Sequence, residues 1–262
     1  AFRYHDDVDR LMESLIENLA WGRVEIDAVE LAGPAFETVD RCAIGLRVVS
    51  SSLGPVVIFG PDGKVALPAD VLYKKVPLLL RGSFRPFTNV HADMITRGKA
   101  GLAAELDIAP DDIAVLCEMN IARHLYEGVD EMSDLQARVE MLNGLGLHAM
   151  VTSHLRFFRL AEHFHRHALR RIAFVLSVAD LDVIFDDAYY EGLDGGMLQA
   201  MARLFASDSK LLAYPNLNAA GTVRTVDNFE LPETYAHLYR HLVANRRILG
   251  VEADSGTLVP FA

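Results

Sequence analysis

Between Gly82 and His91 the chain reads Gly-Ser-Phe-Arg-Pro-Phe-Thr-Asn-Val-His, directly after the apolar run Val-Pro-Leu-Leu-Leu at 76–80. A plain surface turn needs a glycine and sometimes a proline. It does not need a threonine and a histidine at fixed offsets where a helix is about to start. Gly82 has no side chain, so a phosphate could approach its backbone closely. A helix is expected from about Val90, and its free N–H groups attract anions. Thr88 and His91 at that helix start could hydrogen-bond phosphate oxygens. A histidine there could also stabilise charge while an α-phosphorus is attacked and pyrophosphate leaves. Catalysis of that kind is positioning and charge stabilisation, with no covalent nucleophile.

Other polar residues follow other apolar runs. Asn120, with Glu118 before it, ends the run 113–119 and could read a sugar hydroxyl or a base; the alternative is simple loop polarity. Ser153 and Arg156 follow the run 147–152, where Ser153 could cap a helix and bind phosphate with Arg156 one turn on. His163 and His167 lie one helical turn apart, a spacing that suits zinc if a third ligand exists. No third ligand is signalled, so the pattern reads as the polar face of an amphipathic helix with Arg159, Arg166 and Arg170, and no metal ligand is assigned. Asp186, Asp187, Glu191 and Asp194 precede Gly195-Gly196. Four carboxylates repel a phosphate unless Mg²⁺ intervenes, so this reads as a turn with Asp194 capping the next helix; the alternative is a Mg²⁺ site or a partner surface. Tyr189 and Tyr190 read as packing or interface residues, Trp21 as core, and Lys74 and Lys75 as solvated. No Ser-His-Asp order is evident, and Cys117 sits inside an apolar run as a buried, inert thiol.

The elements that must hold these residues follow from periodicity. Residues 5–20 carry apolar side chains at helical spacing. From 23 to 80 the chain reads as short β-rich runs, including 43–50, with a hairpin signal at Gly60-Pro61-Asp62-Gly63. From Val76 strands and helices alternate. Strands are expected at 76–81, 113–119, 147–152, 171–178 and 210–215. Helices are expected near 90–105, 131–145 and 154–169 and through much of 180–206. These strands are continuous apolar runs, as expected of strands covered on both faces. Repeated strand-helix-strand units imply a parallel sheet. The last segment reads as a loop, a helix near 233–247 and an irregular tail. The fold class is therefore α/β: a Rossmann-like parallel sheet with flanking helices, preceded by a small β-rich N-terminal segment. The division is 1–75, 76–215 and 216–262. Ligands of such sheets sit beyond the carboxyl ends of the strands, which is where Gly82–His91, Asn120 and Ser153–Arg156 fall.

Composition narrows the partners. The chain has 262 residues, 51% hydrophobic and 23% charged, and its formal net charge is −11. That charge disfavours nucleic acid and anionic membrane surfaces. No apolar run reaches the length of a membrane span. Two distant cysteines make neither a disulfide framework nor a zinc site and fit a reducing, cytoplasmic setting. The sequence begins Ala-Phe-Arg, which fits a processed form or a piece of something longer.

The stretch 82–91 resembles the nucleotide-binding signature of the nicotinate and nicotinamide mononucleotide adenylyltransferases. Gly82, Ser83, Phe84, Pro86, Thr88 and His91 stand at the matching offsets, and Thr88-Asn89-Val90-His91 is closest to the eukaryotic variant. Arg85 holds a place often taken by Asp or Asn. The second signature of that family is similar to Val-Thr-Ser-His-Leu-Arg at 151–156, in which Ser153 and Arg156 keep the offset. A looser resemblance covers the chain from Arg156 to Pro215 and points to a family of long bacterial proteins, some bearing the name of nicotinate-nucleotide adenylyltransferase. It implies that Arg85 and Thr88 matter as much as His91.

The resemblance implies adenylyl transfer from ATP, with Mg²⁺, to a mononucleotide such as nicotinate mononucleotide, in NAD biosynthesis. The backbone of Gly82, Ser83 and Phe84 would hold the α-phosphate region beside Arg85. Thr88 and His91 would stabilise the transition state, and Ser153 and Arg156 would hold the β- and γ-phosphates. Two other readings share the layout. One is a non-catalytic Rossmann-like subunit that builds a homo-oligomer or larger complex. The other is an enzyme acting on a different small phosphorylated metabolite.

Overall fold

The protein is described by a computed structural model covering residue 4 and residues 7–17, 24–121, 131–167, 169–254 and 256–258. Trp21 lies outside the described residues. The strands are β1 (Val56–Phe59), β2 (Val65–Ala66), β3 (Val76–Arg81), β4 (Ile113–Asn120), β5 (His148–Thr152), β6 (Arg171–Ser177), β7 (Asp208–Tyr214), β8 (Asn216–Leu217), β9 (Val223–Arg224) and β10 (Ile248–Gly250). The helices are α1 (Val8–Ser14), α2 (Arg41–Ser50), α3 (Pro68–Val71), α4 (Asn89–Leu106), α5 (Glu131–Gly144), α6 (Phe157–Arg166), α7 (Val178–Ile184), α8 (Gly196–Leu204) and α9 (Glu233–Ala244).

Eight strands form one mostly parallel sheet, in the order β10-β7-β6-β3-β4-β5-β1-β2. Reading outward from β3, β4 and β5 follow on one side and β6, β7 and β10 on the other. The order therefore reverses between β3 and β6. This is the doubly wound, Rossmann-like α/β arrangement expected from the sequence. Among the described residues no helix is long and apolar enough to cross a membrane.

The chain divides into two compact units. One comprises Ala1–Tyr73, Gly82–Pro86 and Leu116–Leu155. In it β4 and β5 run parallel from Leu116↔His148 to Asn120↔Thr152, while β1 lies antiparallel to β5 and to β2. The β1–β2 pair is the hairpin announced by Gly60-Pro61-Asp62-Gly63. The expected strand at 43–50 is instead helix α2. Asp40 starts it by accepting the N–H groups of Cys42 at 2.7 Å and Ala43 at 3.2 Å, a side-chain cap that commits the first turn. Ile44 and Val48 then fall one turn apart and pack with Met12 and Leu53. Burial of that stripe outweighs the strand preference of the β-branched residues.

The other unit comprises Lys74–Arg81, Phe87–Val115 and Arg156–Ala262. Here β3, β6, β7 and β10 are parallel neighbours. Residues after the first of β6 are buried without alternation, as strands covered on both faces require. Helix α4 lies close on this sheet: a Cβ on Gly98 would come within 3.0 Å of the Val175 side chain. The sequence read the tail as irregular, yet Ile248–Gly250 adds β10 beside β7. Three residues are too few to show a period.

Candidate functional site

The loop after β3 is built in the first unit by what its residues touch. Phe84 has φ 48° and is 1% exposed, with its ring turned inward onto Gly82. A Cβ on Gly82 would lie 3.0 Å and 3.1 Å from two carbons of that ring. Packing of Phe84 is thus a local reason for glycine at 82, separate from any phosphate. The Gly82 N–H is committed as well, donating to the Glu118 carbonyl at 3.0 Å. Ser83 is exposed, and among the described residues its amide and hydroxyl make no hydrogen bond. Its carbonyl accepts from Nη1 of Arg138 at 2.9 Å.

Arg138 and Asp134 are the residues that sequence reasoning missed. Arg138 is 4% exposed, on α5. Its Nη2 donates to Oδ2 of Asp134 at 2.5 Å, and Nη2 of Arg85 donates to the same oxygen at 2.8 Å. One carboxylate thus bridges the loop arginine and the buried arginine that holds the loop carbonyl. Partial burial pulls the Asp134 carboxyl upward, but the Arg85 hydrogen bond and the two guanidinium charges hold it below the usual carboxylate range. The spacing Asp134–Arg138 was the available signal, yet it reads equally as a solvated helix face.

Also in this unit, Glu118 is fully buried and its Oε1 accepts the Thr152 hydroxyl at 2.6 Å. Asn120 is buried beside it at the end of β4, in register with Thr152. Ser153 is exposed in a bend, with its N–H on the Pro55 carbonyl. It does not cap a helix: α6 begins at Phe157 with Arg156 in the cap position and no side-chain cap bond. Cys117 is buried, and burial pushes its thiol up to about 12, so it is inert as expected.

In the second unit α4 begins at Asn89 with Thr88 as its cap residue. The Thr88 N–H donates to Nδ1 of His91 at 3.0 Å, and the Thr88 Oγ1 lies 3.0 Å from the same nitrogen. An amide is a fixed donor, so Nδ1 is the acceptor and the ring proton sits on Nε2. Burial holds the His91 pKa below its ordinary value. At neutral pH His91 is therefore an uncharged donor through Nε2–H. Asn89 opens the helix, and Asp93, one turn after it, accepts the Tyr214 hydroxyl at 2.6 Å.

Arg156 is engaged elsewhere in that unit. Its Nη2 donates to the Glu191 carbonyl at 3.0 Å, and its guanidinium lies 6.0 Å from the centroid of the Tyr189 ring. The Tyr189 hydroxyl accepts the Phe157 N–H at 3.3 Å, occupying the first donor of α6. Arg81, at the end of β3, covers the Phe157 ring at 4.8 Å.

Two readings of the remaining polar residues change. His163 is 5% exposed and its ring lies 4.6 Å from that of His167, so it faces inward rather than along a polar face. Asp194 does not cap α8. Gly195 holds that position, and its N–H donates to Oε1 of Gln199. Tyr190 is buried and donates to the Ile184 carbonyl at 2.7 Å, a packing role as expected. No protein-family model and no curated protein matches the chain.

Proposed function

We propose that the chain is a nucleotidyltransferase that moves an adenylyl group from ATP to a mononucleotide such as nicotinate mononucleotide. The observation that carries this reading is the state of His91. Thr88 occupies its Nδ1, so a neutral ring presents one donor, Nε2–H. That is the form suited to hydrogen-bonding a phosphoryl oxygen as negative charge shifts onto the leaving pyrophosphate. An oxygen of the mononucleotide phosphate attacks the α-phosphorus, and the bond from that phosphorus to the bridging oxygen breaks. No proton transfer through His91 is needed.

The loop residues suit a polyanion. Ser83 offers its amide and hydroxyl, and Arg85 is a half-exposed cation. Mg²⁺, when bound, neutralises triphosphate charge. Asp134 is already neutralised by two arginines, so the ion would enter held by phosphate oxygens. Ser153 and Arg156 contribute less to the reading than the loop does, because Arg156 must first leave the Glu191 carbonyl. Two buried thiols without a disulfide suit a cytoplasmic setting.

One observation favours the non-catalytic reading: the Gly82 N–H, the donor closest to β3, is spent on the Glu118 carbonyl. On that reading the chain is a subunit of a homo-oligomer or larger assembly. Calorimetric titration with Mg·ATP separates the two. Adenylyl transfer requires measurable binding that His91→Ala weakens by about tenfold, a charge-assisted contact's worth. No heat at millimolar Mg·ATP supports the subunit reading.

A further inference from the structure

We propose that Asp134 is a stand-in for phosphate: it holds Arg85 on the loop until a polyphosphate takes the guanidinium over, and Arg138 keeps Asp134 neutralised when Arg85 leaves. The inference rests on the proposed binding of a triphosphate by this loop and adds two positioning residues to it.

The argument starts from how one oxygen is shared. Oδ2 of Asp134 accepts from Arg85 at 2.8 Å and from Arg138 at 2.5 Å. The two arginines differ in exposure. The Arg138 side chain is 5% exposed and is also tied to the Ser83 carbonyl and the Asp134 carbonyl. The Arg85 side chain is 38% exposed. Removing the only partner of a buried charge is expensive, but Asp134 has two. When Arg85 swings away, Arg138 still faces the carboxylate and neither is stranded. A half-exposed ion pair contributes little in itself. A phosphate offers the same planar guanidinium two oxygens and a larger charge. The exchange therefore favours the ligand. Arg138 meanwhile keeps the Ser83 carbonyl fixed, so the Ser83 amide keeps its direction during the exchange.

Tripolyphosphate without metal is the probe, titrated by calorimetry at fixed low salt into four proteins: wild type, Arg85→Ala, Asp134→Asn and the double variant. Asparagine retains an oxygen for Arg138, and circular dichroism checks that each variant is folded. Arg85→Ala should weaken binding by about tenfold. Asp134→Asn should tighten it by about two- to fivefold, by removing the competitor. In the Arg85→Ala background, Asp134→Asn should change nothing, a result that a purely structural Asp134 would not give. Weaker binding by Asp134→Asn, an equal effect of Asp134→Asn with and without Arg85, or no tripolyphosphate binding by wild type each overturns the inference. Binding that follows the expected cycle, in a protein that releases no pyrophosphate with any mononucleotide, overturns adenylyl transfer and leaves the exchange standing. Transfer activity untouched by both single variants does the reverse.

Discussion

Nδ1 of His91 accepts the amide N–H of Thr88 at 3.0 Å, so helix α4 is capped by the residue assigned to the chemistry. Protonating Nδ1 breaks that bond and places charge in a partly buried site. Burial accordingly lowers the His91 pKa in the fold, whereas the unfolded imidazole titrates near about 6.5. Just below that value the unfolded chain binds more protons than the folded one. The stability contributed by neutral His91 is complete above about pH 6.5 and is lost as pH falls from there through the lowered folded value. Nitrogen-edited NMR of the ring should show a midpoint below about 6.5. A midpoint at or above it contradicts the capped, neutral state.

Gly82→Ala should lower stability by about 1–3 kcal/mol. The new methyl meets the buried Phe84 ring at 3.0 Å, and that ring is 1% exposed. Phe84→Leu in the same chain should recover part of the loss by making room. Urea unfolding of the single and double variants reads this directly. An undiminished midpoint for Gly82→Ala alone would show that the ring yields freely.

Thr152→Val should cost about 1.5–3 kcal/mol. It removes a 2.6 Å donor from Glu118, a fully buried residue, while keeping the side chain's shape. Glu118→Gln in the Thr152→Val background should cost less than in wild type, because a neutral amide tolerates burial better than a carboxylate. Additive losses in thermal unfolding would mean that the two side chains do not act on each other.

The second unit holds a comparable pair. Nζ of Lys210 lies 3.1 Å from Oε1 of Glu105, with the side chains 8% and 9% exposed. Hydrogen bonding from Arg246 is the main cause that lowers the Glu105 pKa, and Arg246 remains when the lysine goes. Lys210→Met should therefore cost about 2 kcal/mol rather than the larger loss of an unpartnered buried charge. Chemical denaturation of the variant measures it, and a loss above about 4 kcal/mol would mean that Arg246 does not shelter the carboxylate.

The sheet was largely legible because its strands are unbroken apolar runs bounded by turn residues. Val76–Arg81, Ile113–Asn120 and Arg171–Ser177 fall within a residue or so of expectation. Residues 43–50 were not, since a short Val- and Ile-rich run fits a buried strand and a buried helix equally. The deciding signal was Asp40, three residues before the run and directly before the helix that opens at Arg41, a cap visible in the sequence. The loop was legible in its residue types and in the helix start at Thr88, but not in its bonding. Nothing local says that the Gly82 N–H is already paired, or that Phe84 turns inward. Arg138 and Asp134 were invisible for another reason. Opposite charges one turn apart are what a solvated helix carries, and only tertiary structure shows that Arg138 is buried against the Ser83 carbonyl. Ser153 misled because a Ser-x-x-Arg spacing was read as the start of a helix that begins later, at Phe157.

Pyrophosphate release from ATP and Mg²⁺ in the presence of single mononucleotides, nicotinate mononucleotide first, tests adenylyl transfer most directly. The expected result is turnover with at least one mononucleotide, reduced about 100-fold or more in His91→Ala, the loss of one preorganised donor. Wild-type protein that binds Mg·ATP yet releases no pyrophosphate with any mononucleotide, or His91→Ala that turns over at the wild-type rate, contradicts it.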